Sequence, residues 1–143
     1  MEDAANAANP AGFSPGHAGL SHVITGGAFA AVSADESRAA EIGRDILQSG
    51  GNATDAATAM YFALAVTLPS AAGLGASGAC IVQDDKTKAA EAFVFAPIAA
   101  PGTVNGQPFS VPSGVRGVML MHIRHGKLRW EQTVAPKDRK SVV

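Results

Sequence analysis

Ser33-Ala-Asp-Glu36, Ala39-Ala-Glu-Ile-Gly-Arg44-Asp-Ile-Leu-Gln-Ser-Gly50-Gly-Asn52-Ala-Thr-Asp-Ala-Ala57 and Leu68-Pro-Ser-Ala-Ala-Gly73-Leu-Gly75-Ala-Ser-Gly78-Ala-Cys80 together decide the fold. Ser33 followed three residues later by Glu36 reads as a capping box, with the hydroxyl accepting from the backbone at Glu36 and the carboxylate returning a bond, so a helix is expected to start there. Ala39, Ile42, Gly43, Ile46 and Leu47 fall on one helical stripe. Gly50-Gly51 ends that helix, because glycine takes the left-handed C-terminal conformation without a side-chain penalty. Asn52 is placed to cap a second helix, and Asp55 in its first turn suits the positive end of the helix dipole. Ala53 to Leu68 is small or apolar on nearly every side, the pattern of a helix buried all round, and Pro69 ends it.

Gly73-Leu-Gly75-Ala-Ser-Gly78 matches the G-x-G-x-x-G string of dinucleotide-binding folds. That chemistry needs a strand before the glycines and a helix after, so that the helix N-terminus faces the pyrophosphate. Here a helix precedes and Ala79 to Val82 reads as a strand, so a tight turn packed against a sheet is expected instead. Asp84-Asp85 turns into a second extended run, Ala89 to Phe95.

Working outward, Met1 to Gly19 is rich in Ala, Asn, Gly and Pro without periodicity and is expected to be mobile. Short extended pieces follow around Val23-Ile24 and Phe29 to Val32, broken by Gly26-Gly27. Beyond Pro97, the pairs Pro101-Gly102 and Asn105-Gly106 and the run Pro112-Ser-Gly114 mark loops. Val115 to Leu128 reads as a third helix with Val118, Met119, Met121 and His122 on a packed face and Gly126 near its end. His122 and His125 could share a face as metal ligands, but no neighbouring carboxylate or third histidine completes a set in the sequence, so no zinc site is expected. Trp130 reads as a packing residue.

The 143 residues, 47% of them apolar, suffice for one modest core, so one domain or part of one is expected. A formal charge of -1 with interspersed signs gives no positive field, which argues against nucleic acid as a partner. Cys80 is the only cysteine, which excludes an intrachain disulfide, and it reads as a buried structural thiol. Ala56 to Leu68 is shorter than the ~20 residues a membrane span needs, so no membrane partner is expected. Met1 to Gly19 lacks the basic start and apolar run of a secretory signal, which favours a cytoplasmic location.

Arg38-Ala-Ala-Glu-Ile-Gly-Arg-Asp-Ile-Leu-Gln-Ser-Gly-Gly-Asn-Ala-Thr-Asp-Ala-Ala-Thr-Ala59, the Gly73-Leu-Gly75 turn, Pro112-Ser-Gly-Val-Arg-Gly117 and His125-Gly-Lys-Leu-Arg-Trp130 resemble, in that order, the start of a gamma-glutamyltransferase. The resemblance covers roughly Ser21 to Pro136. It implies an α+β fold, part of the αββα sandwich of N-terminal-nucleophile hydrolases, made as one precursor that cleaves itself into a large and a small subunit. It further implies periplasmic or secreted relatives beside cytoplasmic ones, and no cofactor. In such enzymes a threonine at the new N-terminus uses its own α-amino group as base. It attacks the γ-glutamyl amide of glutathione or a similar small molecule and passes the acyl group to water or an amino acid, while backbone donors stabilise the oxyanion. The resemblance puts that threonine in the small subunit, the partner this front segment lacks.

No threonine of this chain is therefore expected to be catalytic, and no substrate-binding residue is assigned. Thr54, Thr58 and Thr67 lie on the apolar helix, where the hydroxyl ordinarily bonds back to the preceding turn. Thr25, Thr87, Thr103 and Thr133 stand in loop or edge contexts. Two departures from the family pattern stand out. Ala76 and Ser77 replace members of a glycine run, and Ala92-Phe-Val-Phe-Ala-Pro97 lacks the arginine with which many relatives grip the substrate α-carboxylate. A related amide hydrolase, or a stand-alone binding or structural domain, are the alternatives.

Residues 1–20 are thus expected to be a mobile segment, 21–136 the front of a large subunit, and 137–143 a non-native tail. Asp138-Arg-Lys-Ser-Val-Val143 can be encoded as a common sequencing-library adapter, GAT CGG AAG AGC GTC GTG, and long-read sequencing of the locus is the check.

Overall fold

The computed structural model describes residues 22–25, 30–84 and 86–135. The expectations for Met1 to Gly19, Gly26-Gly27, Phe29, Asp85 and 137–143 lie outside them.

Three antiparallel strand pairs and five helices make up the described residues. Strand β1 (His22–Thr25) pairs with β2 (Ala31–Ala34), and helix α1 (Ser37–Gln48) follows. The capping box expected at Ser33 does not form. Ser33 stays in β2, and the extended Glu36 is itself the cap, its carboxylate accepting from the backbone N–H groups of Arg38 and Ala39 at 3.1 and 3.0 Å. The carboxylate at the cap satisfies two orphan donors with one oxygen each. Those bonds, led by the one from Arg38, hold the Glu36 carboxyl below its ordinary value.

At the other end, Gly51 donates to the Ile46 carbonyl and Gly50 to that of Leu47, a Schellman closure in which Gly50 takes φ +89°. The chain reverses into α2 (Ala53–Thr67) through the expected Asn52 cap: Asp55 N–H donates to Asn52 Oδ1 at 3.0 Å, and Asn52 N–H to Asp55 Oδ2 at 2.9 Å. Ile46 of α1 packs with Ala56 and Ala59 of α2, and Ala39, Ala40 and Gly43 of α1 are buried as well. Small side chains let these helices approach closely, and a Cβ at Gly43 would strike Met60 Sδ.

Only the first half of α2 is buried, contrary to the all-round burial expected. Val66 near its end is 79% exposed. The helix stops at Thr67, just before Pro69 as expected, and Pro69 opens a further short turn, α3 (Pro69–Ala72), as a residue without an N–H can at a first helical position.

The glycine-rich turn carries α3 into β3 (Gly78–Gln83), which pairs with β4 (Ala90–Phe95) from Gly78↔Phe95 to Gln83↔Ala90. Helix–turn–strand is the order that excludes the pyrophosphate reading. The region read as loops contains a further hairpin, β5 (Ile98–Val104) and β6 (Gln107–Val111). Its turn is Asn105-Gly106 with φ of 52° and 77°, the paired positive values of a type I′ turn.

Helix α4 (Gly114–His125) and the short α5 (Trp130–Val134) complete the fold. Phe93 and Phe95 of β4 pack on Val118 and Met121 of α4, with Tyr61, Phe62, Cys80 and Val82 around them. Each such large side chain contributes roughly 1.5–3 kcal/mol on burial. Val118, Met121 and His122 are buried as expected, whereas Met119 faces outward. Helix α2 is thus the hub, with α1 on one flank and α4 and α5 on the other.

Candidate functional site

Asp55, fully buried, is where the two flanks meet. Besides capping α2, its carboxylate accepts from the backbone N–H groups of Lys127, at 3.1 Å, and Leu128, at 3.2 Å, and stands 3.1 Å from Nε2 of His122. Asn52 adds a second tie, donating from Nδ2 to the His125 carbonyl at 2.6 Å. Gly126 makes this closure possible: a Cβ there would lie 2.5 Å from the His122 carbonyl and 2.9 Å from Asp55 Oδ1.

His122 is 3.2 Å from the hydroxyl of fully buried Thr133, and the Trp130 indole stands edge-on to its ring at 5.3 Å. Carboxylate, imidazole and hydroxyl are all present, yet the geometry is not that of a catalytic triad. A triad uses one imidazole nitrogen for the nucleophile and the other for the carboxylate. Here Nε2 alone faces both Asp55 and Thr133. The carboxylate is an acceptor, so Nε2 carries the hydrogen, and the Thr133 hydroxyl donates to the Arg129 carbonyl at 3.3 Å. No base is aimed at that hydroxyl, and the cluster acts as a buried lock.

His125 belongs to a second, outer cluster. Its Nε2 is 2.7 Å from Glu91 Oε2, and Arg124 Nη1 is 2.7 Å from Glu91 Oε1, which ties α4 to β4. Arg124 also lies over the Phe93 ring at 6.0 Å. The two histidines, close in sequence, thus point to different carboxylates, Asp55 and Glu91, which spacing alone did not reveal. Among the described residues no three His, Cys, Asp or Glu side chains group as a metal set, and no helix is long and apolar enough to cross a membrane.

The threonines divide as follows. Thr58 and Thr67 bond back to the carbonyls of Thr54 and Ala63, as expected on a helix. Thr87 accepts from Ala89 N–H in the β3–β4 turn, and Thr103 lies in β5. Thr133 departs from its expected loop or edge context: it sits on α5 with its hydroxyl inside the lock.

Cys80 is half-buried, and burial raises its thiol above the usual cysteine value. It is the one β3 residue lining an apolar groove of about 760 Å³, with Ala31 and Val32 of β2, Ala53 and Met60 of α2, and Val118 and Met121 of α4. Burial likewise raises the Tyr61 phenol, whose oxygen has no hydrogen-bond partner among the described residues. Ala92 to Pro97, the segment without a cation, forms most of β4, with Val94 turned outward and 75% exposed.

The family model described as gamma-glutamyltranspeptidase matches residues 39–139, most of the chain. The chain belongs to this family. It is 33% identical over 118 residues to glutathione hydrolase 3 of Arabidopsis thaliana, covering 73% of this chain and 18% of that protein. To the glutathione hydrolase proenzyme of Pseudomonas aeruginosa it is 34% identical over 122 residues, covering 74% and 22%. The chain therefore spans about a fifth of the length of these curated relatives. Among solved structures, the gamma-glutamyltranspeptidase of Pseudomonas nitroreducens complexed with L-DON superposes with a TM-score of 0.65 at 30% identity, over 77% of this chain and 37% of that one. The fold is accordingly part of an N-terminal-nucleophile hydrolase sandwich, helices laid on antiparallel strands, and the family is one of hydrolases and transferases.

Proposed function

We propose that this chain is the scaffold front of an enzyme that transfers or hydrolyses the γ-glutamyl group of small amides, and that it has no turnover by itself. The observation that carries the reading is the family match over residues 39–139 combined with the closed geometry at Thr133. In this reading the nucleophilic threonine and the oxyanion donors come from the small subunit of the same precursor. The segment described here supplies the α2 hub and the β3–β4 hairpin on which that subunit rests. The acyl-enzyme chemistry is that of an N-terminal threonine serving as nucleophile and, through its amine, as base.

One observation favours a second reading for the substrate. Ala92 to Pro97 holds no cation, and the nearby Arg124 is engaged by Glu91. An α-carboxylate has no guanidinium to grip on β4, so a related amide hydrolase with a less charged substrate fits that feature.

The test uses the complete gene product. Self-cleavage into two subunits and release of aniline from a γ-glutamyl anilide support the first reading. Release from a neutral acyl anilide in preference to the γ-glutamyl one supports the second. A complete protein that neither splits nor cleaves either compound sinks both. The 143-residue chain alone is expected to show no release.

A further inference from the structure

We propose that Asn105 is a site of spontaneous covalent modification, where the chain converts its own asparagine to isoaspartate and thereby opens the β5–β6 hairpin. Asn105-Gly106 is the only asparagine followed by glycine in the 143 residues. Both residues are exposed and form the two-residue turn.

The reaction needs no partner but water. The backbone nitrogen of Gly106 attacks the side-chain carbonyl carbon of Asn105. A bond forms between that nitrogen and Cγ, the Cγ–Nδ2 bond breaks, and Nδ2 leaves as ammonia with the proton given up by the backbone amide, which closes a succinimide ring. Water then opens the ring. Breaking the ring bond to Cγ yields aspartate, and breaking the bond to the main-chain carbonyl carbon yields isoaspartate, whose backbone runs through Cβ. Glycine matters because, without a side chain, its nitrogen is unshielded.

Structure sets the rate. Ring closure requires the Asn105 backbone to rotate out of the turn, so the reaction follows the opening of the hairpin. Strands β5 and β6 pack chiefly on each other, and all their residues except Ala100 are exposed. Their pairing is interrupted between Ala99 and Thr103. A two-stranded hairpin standing by itself is marginal in water. Asn52 is the contrast: its Nδ2 donates to the His125 carbonyl and its Oδ1 receives the Asp55 N–H, so its amide is held at both ends.

The product does not fit the turn. Val104 stands opposite Gln107, a register that only a two-residue link of ordinary length closes. An isoaspartyl link adds one backbone atom there. It also places a carboxylate on residues 98–111, which otherwise carry no charged side chain.

The test incubates the full 143-residue chain at mildly alkaline pH beside a synthetic Thr103–Phe109 peptide with blocked ends. Peptide mapping by mass spectrometry follows each asparagine, and methyl transfer by an isoaspartyl methyltransferase reports the product. Asn105 is expected to convert within about 30-fold of the peptide's rate, because a marginal hairpin opens often, while Asn52 stays intact. In the separated isoaspartyl chain, amides of β5 and β6 should lose about tenfold in exchange protection, with those of α2 unchanged. Asn105→Asp adds the charge without the extra backbone atom and should keep the protection of the parent. Conversion of Asn105 slower than that limit, loss of Asn52 at the same pace, or an isoaspartyl chain whose hairpin exchanges as the parent's does overturns the proposal. So does an Asn105→Asp chain as unprotected as the isoaspartyl one.

Discussion

The Asp55 carboxylate lies 3.1 Å from Nε2 of His122 while it also receives the N–H groups of Asn52, Lys127 and Leu128. One side chain thus serves as the cap of α2 and as the anchor of the turn that leaves α4. The two roles are inseparable because both draw on the same two oxygens, and the site is closed to water.

Asp55→Ala would leave three backbone donors without their acceptor inside the protein. The donors belong to half-buried or exposed residues, so against ~1–3 kcal/mol for a fully buried donor left unsatisfied the summed loss is expected to be ~2 kcal/mol or more. Asn52→Ala should cost less, about 1 kcal/mol for the cap plus its bond to the His125 carbonyl. Urea unfolding of the two variants beside the parent measures both, and an Asp55→Ala protein within ~1 kcal/mol of the parent would sink the account of the lock.

Two glycines separate crowding from backbone strain. Gly126→Ala pushes a methyl against the His122 carbonyl and Asp55 Oδ1, so the lock must open and a loss of ~2 kcal/mol or more is expected. Gly50→Ala meets nothing within 4 Å but keeps φ +89°, so about 1 kcal/mol is expected. Unfolding midpoints give the order, and a larger loss at Gly50 contradicts it.

The cap of α1 should be sensitive to acid. Hydrogen bonds from Arg38 and Ala39 lower the Glu36 carboxyl below its ordinary 4.5, so the group holds fewer protons folded than unfolded. Its contribution is fully present above the unfolded value and is lost as pH falls through the lowered folded one. Asp84 shifts the same way, chiefly through the Thr87 N–H. The difference in stability between parent and Glu36→Gln, followed from about pH 6 to about pH 3, isolates Glu36 and should shrink toward the acid end. A constant difference removes the carboxylate from the explanation.

Thr133 provides the functional control. In the complete protein, Thr133→Val is expected to leave self-cleavage intact and anilide turnover within roughly tenfold of the parent, with the main effect on stability. A nucleophile would lose on the order of 10⁴-fold or more. Turnover and subunit splitting, measured on the same preparation, tell these outcomes apart.

The elements readable in the sequence are those whose determinants are adjacent. The Asn52–Asp55 cap, the Gly50 stop and the β3–β4 hairpin all follow from residues within one turn of each other. The start of α1 was misplaced because Ser33 and Glu36 satisfy the capping-box spacing, while the preference of β2 for pairing with β1 keeps Ser33 extended. The Asn105-Gly106 turn is a strong hairpin signal, but the flanking prolines Pro101 and Pro108 hid the strands. The carboxylate partners of His122 and His125 were invisible because Asp55 and Glu91 are brought to them by tertiary packing. Thr133 was misjudged for the same reason.

The dual use of Asp55 also sets an order of events during folding. Its bonds with Asn52 are local, whereas those with Lys127 and Leu128 close a loop of 72 and 73 residues. Local contacts form before long loops are closed, so α1 and α2 are expected to pair first with the carboxylate half-satisfied, and α4 to dock onto a waiting acceptor. Kinetic analysis of substitutions should therefore give high φ-values at Asn52 and low ones at Gly126. On the ribosome, the first helical pair would emerge already holding the chemical address to which the last helices are delivered.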